Sequence, residues 1–284
     1  MCGRYTTGTV RPSELDSRFG ASGAADLAAA LGRYNVAPSE AVAIVAADPS
    51  GADPTGRRAT SARWGLLPPW ARGLRERVRP INARAETLAT TRTFAPLVAS
   101  AEHRVLVVAD GWYEWLRSEA AAGTAPGRRT GARPKVARTP FHHRVDGGEP
   151  FAMAGLVRTA WLERSTVPDD VVPATDRRDR VPVPTVAIVT CPANAVAARL
   201  HDRMPAILAG PDEEAAWLSD DTTADDVGAL LVPLADDRVT VAAASPLVND
   251  ARAGRDGPEL LDPEARAADD APQLSLLPGD PAAP

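Results

Sequence analysis

The run Arg104-Val105-Leu106-Val107-Val108-Ala109 constrains the fold of this chain more than any other segment. It is short, apolar and β-branched, so it predicts a strand, and Gly111-Trp112-Tyr113-Glu114-Trp115 continues the extended pattern. Ala41–Ala47 (AVAIVAA) predicts a buried strand, and residues 151–157 and Val186–Thr190 predict two more. Residues 13–19, 24–31, 93–100, 193–201 and 211–218 read as short helices, the last with Pro211 in its first turn. Between them the chain is punctuated. Residues 48–61 are turn-rich, residues 118–134 read as a flexible insertion, and residues 163–183 read as a mobile loop. Many short strands with few long helices predict an α+β single domain with a β-barrel-like core of mixed strands flanked by short helices. No internal repeat is visible.

At 284 residues the chain can bury a sizeable core. No run approaches the ~18 apolar residues of a membrane span, and Arg4 is followed by polar residues rather than an apolar leader. These features predict a cytoplasmic, nucleoid-associated protein with no membrane partner. Cys2 and Cys191 are too few for a disulfide framework, and the spacing of Cys and His suggests no metal site or cofactor. Cys191 reads as a small buried hydrophobe, and His142-His143 as surface residues. The net charge of −5 argues weakly against nucleic acid, but residues 263–284 contribute −3 of it. Within the body, residues 117–139 carry six bases and one acid, a local patch suited to phosphates.

Cys2 follows the initiator methionine. Removal of Met1 would leave a 1,2-aminothiol. Its amine, with a pKa of about 7.7, can form an imine with an aldehyde near neutral pH. The thiol can then close a five-membered thiazolidine.

Five segments share one pattern: CGRY at 2–5, RWGLLPPWA at 63–71, INARAET at 81–87, DGWYEW at 110–115 and LHDRMPAIL at 200–208. With YNVAPSE at 34–40 and SPLVNDARAGRDGPEL at 245–260, the chain closely resembles the SOS response-associated peptidase (SRAP) family over about residues 2–262. The resemblance implies one SRAP-like abasic-site processing domain at 2–262, with 263–284 a disordered acidic tail. It also implies a covalent reaction with abasic sites in single-stranded DNA: a Schiff base through the Cys2 α-amine, then a thiazolidine through its thiol. Such a cross-link would shield the site during replication, with an AP-lyase side activity from the imine.

By the same resemblance the catalytic residues are Cys2, Asn82, Glu114 and His201. Glu114, desolvated between Tyr113 and Trp115, and His201 would move protons, while Asn82 would hold the Cys2 amine or the opened sugar's hydroxyl without adding charge. Taken alone, Glu114 also reads as a strand residue facing water, His201 as a helix-end histidine beside Asp202, and Asn82 as a turn residue. Matched DNA-binding positions are Arg4, Arg84 and Arg203 for phosphates, Pro38, Trp64, Trp70 and Trp115 for bases, and Thr190 beside the site. At least one of the three tryptophans is expected to be structural. In the tail, Gln273, Leu274, Leu276 and Leu277 resemble a sliding-clamp docking peptide. A one-site covalent reaction needs only a monomer. The alternatives are an autoprocessing cysteine peptidase and a non-catalytic single-strand binder.

Overall fold

The computed structural model describes residues 3–48, 56–117, 138–250 and 254–265. Cys2, most of the basic segment 117–139 and the clamp-like tail peptide lie outside the described residues.

Twelve strands form two sheets. In chain order they are β1 (Tyr5–Thr6), β2 (Ala41–Ala47), β3 (Arg57–Trp64), β4 (Asn82–Arg84), β5 (Arg104–Ala109) and β6 (Gly111–Arg117). They continue as β7 (Arg138–Val145), β8 (Phe151–Glu163), β9 (Arg180–Pro192), β10 (Arg203–Pro205), β11 (Ile207–Leu208) and β12 (Val239–Ala243). The larger sheet runs β10-β9-β3-β2-β5-β8-β11, and an added β9–β8 pairing closes β9, β3, β2, β5 and β8 into a five-stranded barrel. Closure is mixed, because β3 runs parallel to β9 while the other barrel pairs are antiparallel. The smaller sheet runs β1-β6-β7-β12. The architecture is the α+β single domain with a barrel-like core that the sequence predicts.

All six residues of β5 are buried between β2 and β8, which explains its unbroken apolar run. Arg104, at its start, donates through its two Nη atoms to the carbonyls of Val98 and Ser219, which anchors its buried guanidinium. Helix α1 (Pro12–Phe19) ends at Gly20, whose φ of 59° is the left-handed stop that glycine adopts without strain. Helix α2 is one turn, Ala95–Val98. Helix α3 (Pro211–Leu218) begins with Pro211 and three acids that complement its dipole. One of them, Glu214, is fully buried and held in a fork by Arg18 of α1 at 2.7 and 3.1 Å. Trp217 of α3 donates to Val105 and pins the helix to the barrel. Helix α4 spans Ala224–Leu230.

Four local expectations change. Residues 24–30 form a 3-10 segment, not an α-helix. The turn-rich reading of 48–61 misses β3, which occupies Arg57–Trp64 by pairing with β2 from Arg57 to Arg63, with Ala59, Ala62 and Trp64 buried. Strands β8 and β9 run into the predicted loop 163–183 at Glu163 and Arg180, pairing with one another. The helix predicted at 193–201 is only a 3-10 turn at Ala197–Arg199, since β10 pairs with β9 almost at once.

Gly111 is where β6 lets β7 approach. A Cβ there would lie 2.3 Å from His142 Nε2 and 2.6 Å from the His143 carbonyl oxygen. Gly111→Ala should therefore push β7 from β6 and lower stability by ~1–3 kcal/mol, read as a reduced denaturation midpoint.

Candidate functional site

Strand β1 is only two residues long but is held on both sides. Tyr5 exchanges backbone hydrogen bonds with Val36 at 3.2 and 3.0 Å, and it pairs with Trp112 of β6 across the other edge. The Tyr113 N–H donates to the Arg4 carbonyl at 2.9 Å. Carried two residues further, the Tyr5–Trp112 register sets Gly3 level with Glu114.

Glu114 is only 4 % exposed, so the water-facing reading of this carboxyl is wrong. It shares its face of β6 with fully buried Trp112, while Tyr113 and Trp115 point the other way. Tyr113 donates its phenol to the Tyr34 carbonyl at 3.0 Å, and burial pushes its pKa well up. Trp115, half-buried, donates its indole N–H to Asn249 Oδ1 at 2.6 Å.

Asn82 opens β4, half-buried, and pairs with Ile188 of β9 in parallel register. It belongs to a strand and is not the turn residue that Pro80-Ile81 alone suggest. The segment before it is tied to Trp64, whose indole donates to the Ile81 carbonyl at 2.9 Å. Trp64 also meets Tyr5 edge-on, with ring centroids 5.3 Å apart. A chain of contacts thus runs from β6 through Tyr5 and Trp64 to the residue preceding Asn82.

His201 follows the 3-10 turn, and β10 begins two residues later. Its Nδ1 accepts the Arg203 backbone N–H at 3.0 Å and also lies 2.8 Å from Asp202 Oδ1. One nitrogen cannot serve both partners at once. In the neutral ring Nδ1 offers its lone pair to Arg203 and the proton sits on Nε2; in the charged ring Nδ1 donates to Asp202. The histidine therefore has a built partner for each protonation state, a donor for the neutral ring and an acceptor for the charged one.

Strands β4 and β10 both pair with the end of β9, so Arg84 and Pro205 are each level with Thr190. Arg203 locks this junction. It forks onto both Glu86 oxygens, through Nη1 to Oε1 and through Nη2 to Oε2 at 2.9 Å, and its Nη2 also donates to the Thr190 carbonyl at 2.6 Å. The guanidinium holds the Glu86 carboxyl below the usual carboxylate range. Arg4 donates to Asn35 Oδ1 at 2.6 Å and to the Val248 carbonyl at 3.1 Å. Asp256 accepts from Arg33 Nε and from the backbone N–H groups of Tyr34 and Asn35. Segments far apart in the chain are thereby fastened around one another.

Among the expected DNA contacts, Trp70 is 69 % exposed, Arg84 is exposed, and Pro38 and Trp115 are half-buried. Two expectations are corrected. Trp64 is 1 % exposed and presents no face to a base; it is the structural tryptophan. Thr190 is fully buried, with its hydroxyl directed at the Ala83 carbonyl at 3.4 Å, so it presents no group to a phosphate. Cys191 is buried, and burial pushes its thiol up to about 11, which suits an inert apolar residue.

The chain matches the model of the family described as SOS response associated peptidase (SRAP) over residues 1–251. It belongs to the SRAP family. This SRAP chain is 31% identical over 266 residues to abasic site processing protein YoaM of Bacillus subtilis, covering 93% of its own length and 99% of that relative. It is 27% identical over 219 residues to abasic site processing protein HMCES of Rattus norvegicus, covering 75% of its own length and 58% of that one. Its fold is similar to the crystal structure of a protein from Bacteroides thetaiotaomicron, with a TM-score of 0.70 at 18% identity, covering 92% and 99% of the two chains.

Several residues of the site were not singled out in the sequence. Glu86 lies inside INARAET and Asp256 inside the 245–260 segment; charges embedded in matched motifs were the available signal. The expectation that His142 and His143 lie on the surface is also overturned. Both are buried in β7, at 5 % and 0 % exposure. Thr6 Oγ1 lies 3.0 Å from His142 Nε2 and also donates to Asp110 Oδ1, while Thr9 donates twice to Asp110 Oδ2. His143 stacks on Trp112 at 4.5 Å. Burial lowers the pKa of His142 to about 3 and of His143 to about 4. Unfolded, both titrate near ~6.5. The unfolded state therefore binds more protons as pH falls below ~6.5, and stability is lost down toward the folded pKa values. The denaturation midpoint should decline across that window, by up to ~1.4 kcal/mol per pH unit for each histidine, and His142→Gln should flatten the slope.

Proposed function

We propose that this chain processes abasic sites in single-stranded DNA by attaching itself to them through Cys2. The observation that carries the reading is the burial of Glu114, level with Gly3 and next to the strand that leads to Cys2. A buried carboxyl beside a latent aminothiol is placed to serve proton transfer. Only one residue, Gly3, separates Cys2 from Arg4, whose carbonyl is bonded to β6. The names of YoaM and HMCES as abasic site processing proteins support the same substrate.

The chemistry follows from the groups present. The ring-opened deoxyribose offers an aldehyde at C1′. The Cys2 amine attacks it to give a carbinolamine, and protonation of the hydroxyl releases water and leaves an imine. The thiol then adds to C1′ while the nitrogen takes up a proton, closing a thiazolidine; the sum is aldehyde plus aminothiol to ring plus water. Glu114 delivers the proton to the departing hydroxyl. His201 accepts the proton from the thiol, with Asp202 placed to hold the charged ring. Asn82 holds the opened sugar by hydrogen bonds. Arg84 and Trp70, both exposed, grip the strand, while a phosphate reaches Arg203 by displacing Glu86. β-Elimination from the imine gives strand cleavage as a side reaction.

Incubation with an oligonucleotide carrying one abasic site, followed by a denaturing gel, tests this. A heat-stable shifted band is expected, absent in Cys2→Ala and when Met1 is retained. Cys2→Ser keeps the amine and should yield only a species trapped by borohydride. Glu114→Gln should slow band formation by about 10²–10⁴-fold. A Cys2→Ala protein that still cross-links sinks the reading.

A further inference from the structure

A cavity of about 970 Å³ opens between the loop that follows β3 and the segment after β8. Ser39, Arg63, Arg75, Glu76, Arg79 and Thr166 line it. Three arginines therefore face one carboxylate across an open space. Among the described residues the Arg63 guanidinium makes no hydrogen bond or ion pair. Burial lowers its pKa, and the like charge of Arg79 lowers it further. Asp170 and Glu40 favour its charged form but make no hydrogen bond or ion pair to it among the described residues. Glu40 is engaged by Arg33 at 3.0 Å and by the Ala37 N–H, and Glu76 accepts the Arg72 N–H at 3.3 Å.

Ser39 supplies an independent sign. It is a non-glycine residue with φ of 77°, held there by its N–H donating to the Trp64 carbonyl at 2.8 Å. Such a conformation is strained for a residue with a side chain and tends to persist where that side chain must be aimed. The Ser39 hydroxyl borders the cavity and makes no hydrogen bond among the described residues. The half-buried Arg63 guanidinium, together with exposed Arg79, which is anchored through Nη1 to the Leu74 carbonyl at 2.9 Å, stands opposite an unengaged hydroxyl and makes an anion cradle.

Its position selects the anion. Arg63 immediately precedes Trp64, and Arg79 lies three residues before Asn82, so the cradle adjoins the candidate site through the Trp64–Ile81 hydrogen bond. The exposed ring of Trp70 stands on the loop that forms its wall, beside the run Arg72, Arg75, Arg77 and Arg79. Cations alternating with an exposed aromatic fit a single strand, whose phosphates meet arginine while a base stacks. We propose that Arg63, Arg79 and Ser39 form a subsite for a backbone phosphodiester of the bound strand, some nucleotides away from the reacting sugar. The proposal rests on the DNA reading above and extends it to the path of the strand.

Non-covalent binding of the full chain to an unmodified single strand of about 16 nucleotides, read by fluorescence anisotropy over a salt series, separates the two claims. Arg63→Gln and Arg79→Gln should each weaken binding about tenfold or more and reduce the slope of log affinity against log salt by about 0.7. Arg144→Gln, on the far strand β7, sets the effect of losing one charge elsewhere. Ser39→Gly, which relieves the backbone, should bind more weakly than wild type while unfolding no earlier. Cradle variants that lose no more than Arg144→Gln, with wild-type melting, overturn the subsite. The same holds if inorganic phosphate binds at Arg63 and the variants leave oligonucleotide affinity intact. A failed cross-link with these slope changes present would instead overturn the abasic-site reading and keep the subsite.

Discussion

Everything proposed for the chain depends on β1 being held in place. Two residues cannot make a stable strand alone, so Tyr5 and Thr6 are fixed from four directions: Val36 on one edge, β6 on the other, Trp64 against the Tyr5 ring, and Asp110 beneath the Thr6 hydroxyl. Conformational entropy of about 1–2 kcal/mol per residue opposes the ordering of so short a strand, and the buried hydrogen bonds and the aromatic contact offset it. Tyr5 and Thr6 are thereby fixed against the barrel.

The barrel in turn explains why two distant motifs share the end of β9. Strand β9 is long enough to pair with β3 and β8 in the closed ring and still present its end to β4 and β10. Asn82 and His201 reach the same end of β9 from opposite sides, and the Arg203–Glu86 fork fastens the two approaches together. Glu114 lies on the smaller sheet. Positions on rigid strands are fixed more closely than positions on loops, which suits the proposed reaction and its need for an acid, a base and an amide near one electrophile.

The arginines divide into two kinds. Arg4, Arg18 and Arg203 are engaged by carbonyl or carboxylate partners and hold segments together. Arg63, Arg75, Arg79 and Arg84 line a cavity or face solvent. Sequence position does not separate the groups, because Arg4, Arg84 and Arg203 all lie in matched motifs while Arg75 and Arg79 do not. What separates them is whether an acceptor from elsewhere in the chain comes within reach.

The order of residues alone carries the chemical groups and the framework: the latent aminothiol at Cys2, the carboxyl at Glu114 in a strand, the imidazole at His201, the β5 core run and the α+β barrel class. These are legible because residue type and local apolar pattern report directly on reactivity and secondary structure. Folding settles which of the tryptophans is structural, that His142 and His143 are buried, that β10 follows residues 193–201 too closely for a full helix there, and that Arg63 and Arg79 line one cavity. Burial, ion pairing and cavity shape arise from residues tens to hundreds of positions apart. No local pattern encodes them until the barrel closes and sets the distances.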